Sequence, residues 1–212
     1  MTVPRWAVQV GVALLAFAAG AAFMAFLQRP AGAPRGPGPI DIGFAQHMAL
    51  HHDQAVAMSQ LVRGRTSPGI NQLADAVASS QTQEIGQMKG WLALWKQAAV
   101  PTDRAMTWMV PKPQSNSYDP AYAEACRAAP GGMPGLATTE ELDALRQASG
   151  TALDTLYLAM MVRHHQGGGP MLRYAAEHAE TETVRQLAGH MAYEQSRETT
   201  QLVSLLNTLT RK

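Results

Sequence analysis

The sequence predicts an all-α protein: an antiparallel helical bundle with a long crossover in its middle, preceded by a transmembrane helix at the N-terminus. Three observations lead there. Apolar residues recur at helical spacing in four long stretches and no stretch alternates as a strand does. A helical hairpin pattern occurs twice. An almost unbroken apolar run, Trp6 to Leu27, has the length of a bilayer span.

Composition narrows the classes. The 212 residues are 46% hydrophobic and 16% charged, apolar enough for a core and poor in charge for a globular protein. A formal net charge of +1 and the lack of a Lys/Arg stripe exclude a basic nucleic-acid binder. One cysteine, Cys126, excludes an intrachain disulfide and any multi-cysteine metal site; it is expected to be a buried thiol. Twelve methionines and seven histidines are the unusual entries.

Taken in order, residues 1–29 form the anchor, with Gln9 the one polar interruption of the apolar run. A cleaved secretory signal is the alternative, but Pro34 after Ala31-Gly32-Ala33 disfavours cleavage. The expected placement is membrane-anchored through residues 6–27, with the bulk of the chain outside the cytoplasm. Residues 30–40 are a Pro/Gly-rich linker. The helical domain, 41–210, follows.

Its first helix spans about Asp41 to Arg63. Ser67-Pro68 reads as the cap and first residue of a second helix reaching about Ala98. Val100 to Ala137 is a long connection whose Trp108, Tyr118 and Tyr122 imply packing on the domain. Thr138 to Glu141 is a capping box for a short helix. A third main helix covers about Thr151 to His178, with a bend or break expected at Gly167-Gly168-Gly169-Pro170. A fourth runs from about Thr181 to Leu209.

The repeat carries the chemistry. Met-x2-His-His-x5-Met occurs as Met48, His51, His52, Met58 and again as Met161, His164, His165, Met171. Gln81-x-x-Glu84 in the second helix matches Gln195-x-x-Glu198 in the fourth after a one-residue shift. At 100° per residue, Met48, His51 and Met58 share one quarter of the helix circumference, with His47 at its edge. His52 points about 100° away from His51. Thioether sulfur with imidazole is a soft donor set that favours copper, Cu(I) above all, over oxygen-seeking magnesium or calcium. Gln81, Glu84, Gln195 and Glu198 are expected to orient the imidazoles. Glu177, His178 and His190, which are not repeated, are read as surface residues.

The opposing reading is that the methionines are core packing and the histidines structural. Enzyme signatures are missing. His47-x3-His51 has zinc-protease spacing, but Met48 stands where the general-base Glu belongs. No Glu lies three residues before any histidine, so a di-iron carboxylate site is excluded.

The segment Phe44 to Met58, the run Gln83-Glu84-Ile85, Met133-Pro134-Gly135, and Met160 through Gly168 together resemble the domain of unknown function 305 family. The resemblance covers about Asp41 to Leu206. It implies a ferritin-like four-helix bundle and, as in some exported members, copper binding through Met and His. Carried over, it implies Met48, His51, His52, Met58 and Met88 in one half and Met161, His164, His165 and Met171 in the other. The function expected is extracytoplasmic copper sequestration or resistance rather than catalysis. A structural or interaction module is the alternative, and a copper-dependent oxidoreductase a more distant one.

Overall fold

The computed structural model describes residues 17–21, 23–24, 36–102, 106–109, 124–126, 128–129 and 132–211. The chain divides into two compact units, 1–35 and 36–212. The expected anchor lies largely outside the described residues; the part described, 17–21 and 23–24, is helical. Among the described residues no helix is long and apolar enough to cross a membrane.

The second unit is all-helical, with no strand among the described residues. Helices α1 (Pro39–Val62), α2 (Pro68–Leu94), α3 (Thr139–Gln147), α4 (Gly150–His178) and α5 (Glu182–Thr210) follow in order, with a 3-10 turn at Thr107–Met109 between α2 and α3. α1 packs along α2 and α4 along α5, and the two hairpins meet through α1 and α4. The pairs His52–Glu84 and Arg63–Asp75 run in opposite order along α1 and α2, so that hairpin is antiparallel.

Local signals explain the boundaries. α1 begins at Pro39, two residues before the expected start, because proline suits a first helical turn where no amide donor is needed. α2 has Ser67 at its N-cap and Pro68 at its first position, as expected, but ends at Leu94 rather than Ala98. Lys96, at φ 55°, turns the backbone left-handed, and the Gln97 amide closes on the Leu92 carbonyl at 2.8 Å. The capping box is present: the Glu141 amide donates to Thr138 Oγ1 and the Thr138 amide to Glu141 Oε2.

The repeat extends to the joints between hairpins. Asp41, at the start of α1, accepts the Glu180 and Thr181 amides where α5 begins. Its counterpart Asp154, early in α4, accepts the Ser67 amide where α2 begins. Each hairpin thus caps the second helix of the other.

Of the bend or break expected at residues 167–170, the break is not found: the helix runs continuously from Gly150 to His178 with Pro170 inside it. The glycines serve packing. A Cβ at Gly167 would lie 2.2 Å from the Pro134 carbonyl oxygen, so its absence seats the connecting segment directly on the helix.

Two buried clusters fill the interior. One contains Phe44, Met48, Met88, Trp108, Met171 and Met191 among its members. The other contains Met58, Val77, Tyr157, Met161 and Leu202. Full burial of each such side chain contributes about 1.5–3 kcal/mol, so both clusters stabilise the layer of polar residues at the α1–α4 crossing.

Candidate metal centre

α1 and α4 cross in opposite directions. Met48 shares a cluster with Met171, Met58 shares the other with Met161, and Ser59 Oγ lies 3.0 Å from Tyr157 Oη. This crossing brings His51 and His164 face to face, ring centroids 3.8 Å apart. Both are fully buried.

Their ionisation follows from that burial. Desolvation, with His52 and His165 nearby, lowers the His51 pKa to about 3. Desolvation, then the neighbouring histidines, holds His164 well below its ordinary value. Both are neutral at physiological pH, the form that ligates a metal.

Hydrogen bonding selects the tautomer. His164 Nε2 donates to the His51 carbonyl at 2.9 Å, and His51 Nε2 to the Pro134 carbonyl at 3.3 Å. A carbonyl only accepts, so the proton sits on Nε2 and Nδ1 carries the lone pair. His51 Nδ1 and His164 Nδ1 are buried without a hydrogen-bond partner among the described residues.

His52 and His165 point elsewhere, as their spacing requires. His52 Nε2 lies 2.9 Å from Glu84 Oε2, within ion-pair reach though off the hydrogen-bond line. His165 Nε2 donates to Glu198 Oε2 at 2.7 Å. Glu198 therefore orients the His165 imidazole and leaves its Nδ1 without a hydrogen-bond partner among the described residues, whereas Glu84 lies beside His52 at ion-pair distance. Gln81 and Gln195 are buried, and their amide groups find no hydrogen-bond partner among the described residues.

A buried polar atom without a partner is costly and needs a reason. The local space supplies one. A Cβ at Gly168 would lie 3.4 Å from His51 Nδ1 and 3.7 Å from Gln195 Oε1, so the missing side chain keeps room beside both. The donor set is neutral imidazole with buried thioether, which fits a soft cation.

The methionines regroup in space. Met48, Met88 and Met171 fall in one cluster and Met58 and Met161 in the other, all fully buried. The expected grouping by sequence half therefore does not hold: each end draws its thioethers from both hairpins, because the central helices are antiparallel. Among the described residues no three His, Cys, Asp or Glu side chains are arranged to hold a metal ion. The imidazoles are available in small sets, and the buried thioethers are the soft donors that lie nearest in sequence to them.

His47 departs from this set. Its Nδ1 lies 2.9 Å from the Gly43 carbonyl and 3.2 Å from Trp108 Nε1, so it is tied to the connecting segment. Trp108 seats on Gly43, where a Cβ would fall 2.3 Å from its ring. Tyr118 and Tyr122 lie outside the described residues. Cys126 is half-buried at the edge of the first cluster rather than fully buried. Glu177 and His190 are exposed and His178 half-buried.

Helical spacing puts Met191 on the inward face of its helix but does not group it with the site methionines, and Met106 and Met133 lie in the connection without periodicity; all three are buried in the first cluster. Met191 aligns with Val77 in the repeat, so comparing the two copies hides it; its place one turn before Gln195 was the available signal.

Fold and site together define an all-helical protein with a doubled His-His motif buried at a helix crossing and methionines on either side. The chain belongs to the DUF305 family, the domain of unknown function whose model matches residues 41–206. A DUF305 protein from Streptomyces coelicolor is 34% identical, with 81% of this chain and 94% of that chain covered at a TM-score of 0.69. A DUF305 fragment from Deinococcus radiodurans is 23% identical, with 82% and 99% covered and a TM-score of 0.62. CopM, solved in a Cu(II)-bound form, is 23% identical, with 79% and 96% covered and a TM-score of 0.58. CopM in its Cu(I)-bound form is 22% identical over the same shares, at a TM-score of 0.58. No curated protein matches the chain.

Proposed function

We propose that this protein binds copper, Cu(I) in preference, and serves copper sequestration or resistance outside the cytoplasm rather than catalysis. The observation that carries the reading is the His51–His164 pair. It is fully buried, held neutral, and set between methionine-bearing clusters, with Nδ1 of each ring lacking a partner among the described residues. His51, His52, His164 and His165 would supply nitrogen, and Met48, Met58, Met88, Met161 and Met171 sulfur. His47 belongs to the expected set but is engaged with Gly43 and Trp108. Bound copper would offer a soft, neutral-donor centre. Around it the protein's own groups hold the imidazoles in one tautomer, exclude water and fix their orientation through Glu84 and Glu198. The copper-bound forms of CopM support the choice of metal.

The same reading takes the helical unit as a ferritin-like four-helix bundle. It takes residues 1–29 as an anchor, or else a cleaved signal, and 30–40 as a linker to the domain 41–210.

The test is Cu(I) titration of the untagged full chain against a competing Cu(I) chelator. Met48→Leu with Met58→Leu keeps volume and apolarity but removes sulfur. Affinity is expected to fall at least tenfold, with far-UV circular dichroism unchanged. His51→Ala with His164→Ala is expected to cost more than changing His178 and His190. Equal affinity in all these proteins would leave a structural module with a methionine core as the better account.

A further inference from the structure

The two repeat-related ends of the helical unit differ in sulfur content, and the repeat itself supplies the control. By the alignment of the copies, Met48 corresponds to Met161, Met171 to Met58, Met88 to Leu202, and Met191 to Val77. The first member of each pair lies in one cluster and the second in the other. One end thus has four thioethers from four different helices, where the other has two, with Leu202 and Val77 filling the equivalent places.

The connecting segment widens the difference. It adds Met106 and Met133 to the sulfur-rich cluster. Met106 is 2% exposed and holds φ at 46°, a backbone region unfavourable to a residue with a Cβ and retained where the surroundings impose it. Met133 precedes Pro134, whose carbonyl accepts from His51 Nε2 at 3.3 Å. The segment therefore lies over both the thioethers and the histidine pair. The other end has Met160 as its additional thioether, at the position of His47 in the first copy.

Packing does not account for this asymmetry. Leucine and valine are better-defined core residues than methionine, and Leu202 and Val77 occupy the repeat-related positions at the other end. A buried group of neutral, polarisable sulfur atoms discriminates by charge and softness. It accommodates a soft monocation without forcing a divalent charge into a site that lacks anionic donors.

We propose that the end carrying Met48, Met88, Met171 and Met191, closed over by Met106 and Met133, is a thioether site selective for Cu(I), and that the repeat-related end is not. The proposal rests on the copper reading in taking copper as the ion that enters the core. It goes beyond that reading in making the two ends unequal and in assigning Met191, Met106 and Met133.

The experiment compares the untagged full chain with Met88→Leu/Met191→Leu and with Met58→Leu/Met161→Leu, measuring Cu(I) affinity anaerobically against a competing chelator and Cu(II) affinity separately. Met88→Leu/Met191→Leu is expected to weaken Cu(I) at least tenfold and leave Cu(II) within twofold. Met58→Leu/Met161→Leu, at the end with fewer thioethers, is expected to weaken Cu(I) less than Met88→Leu/Met191→Leu does. If wild type and Met88→Leu/Met191→Leu bind Cu(I) equally, the inequality of the ends is overturned while copper binding stands. If wild type binds no Cu(I), the copper reading itself falls. Should Met88→Leu/Met191→Leu lose helicity, the decision passes to Val77→Met/Leu202→Met, which restores sulfur at the poorer end. A second tight Cu(I) equivalent there supports the proposal, and unchanged stoichiometry overturns it.

Discussion

His51 and His164, 113 positions apart in the chain, stack with ring centroids 3.8 Å apart and planes inclined by 38°, and His164 Nε2 donates to the His51 backbone carbonyl at 2.9 Å. Two cationic imidazoles would not be stable at that separation in a buried site. The contact therefore allows at most one charge, burial keeps both rings neutral, and the carbonyl acceptors place the proton of each on Nε2. The helix crossing thus sets the charge and tautomer of the nitrogen atoms that face the centre.

The pair makes stability depend on pH. In an unfolded chain both histidines titrate near 6.5, whereas burial lowers His51 to about 3 and His164 well below its ordinary value. Between those limits the unfolded chain takes up protons that the folded chain refuses. Stability is therefore complete above about pH 6.5 and falls as pH drops toward 3, by roughly 1 kcal/mol per pH unit for each histidine. Urea unfolding of metal-free protein at pH 7, 6 and 5 measures this, and His51→Gln/His164→Gln is expected to flatten the slope. A flat profile in the wild type would show that the rings are not held neutral by burial.

Glu84 and Glu198 orient His52 and His165 at 2.9 Å and 2.7 Å. Replacing either carboxylate by its amide keeps the shape but removes the charged acceptor. Glu84→Gln is expected to weaken copper binding by about 10–100-fold, with the thermal midpoint lowered only slightly. Unchanged affinity would mean that His52 contributes packing and no nitrogen.

Asp41 and Asp154 are repeat-related caps of unequal weight. Burial acts to raise the Asp41 pKa, but hydrogen bonds from Glu180, Thr181 and Gly38 outweigh it and lower the pKa below the usual carboxylate value. Asp154 accepts the Ser67 amide at 3.1 Å. Asp41→Ala is expected to cost about 3 kcal/mol and Asp154→Ala about 1 kcal/mol. Chemical denaturation at pH 7 orders the two, and the reverse order would contradict the caps described.

Glycines separate by what surrounds them. A helical Gly→Ala change stabilises by up to about 1 kcal/mol where space allows. At Gly189 nothing lies within 4 Å of the added Cβ, so Gly189→Ala is expected to raise the thermal midpoint. At Gly167 the added Cβ would meet the Pro134 carbonyl oxygen at 2.2 Å, so Gly167→Ala is expected to destabilise by about 2 kcal/mol as the connecting segment is displaced. Gly168→Ala, with Cβ 3.0 Å from His51 Cε1, is expected to turn the imidazole and lower copper affinity more than stability.

Helical periodicity determined the long elements and their order, because an apolar stripe every 3.6 residues is a local property of the chain. The Thr138 cap was legible for the same reason, since its partner Glu141 lies within a turn, and Ser67-Pro68 because proline suits the first helical position. The repeated Met, His, Gln and Glu positions were legible because duplication marks them twice. Other features needed the tertiary structure. Gly167 to Pro170 reads as a helix breaker in sequence, but α4 continues because Pro134 and His51 occupy the space that the glycines leave. The methionines group across hairpins rather than within them because α1 and α4 are antiparallel, which residue spacing along one helix does not encode. Met106, Met133 and the Pro134 carbonyl reach the centre through a long connection without periodicity. Their placement depends on long-range packing: Trp108 on Gly43 and Gly135 against the backbone of Arg163 and His164. Sequence thus determined which histidines and methionines are candidates for the site, through local periodicity and repetition; tertiary packing decided which of them meet, because contacts between distant segments are set by how the helices cross.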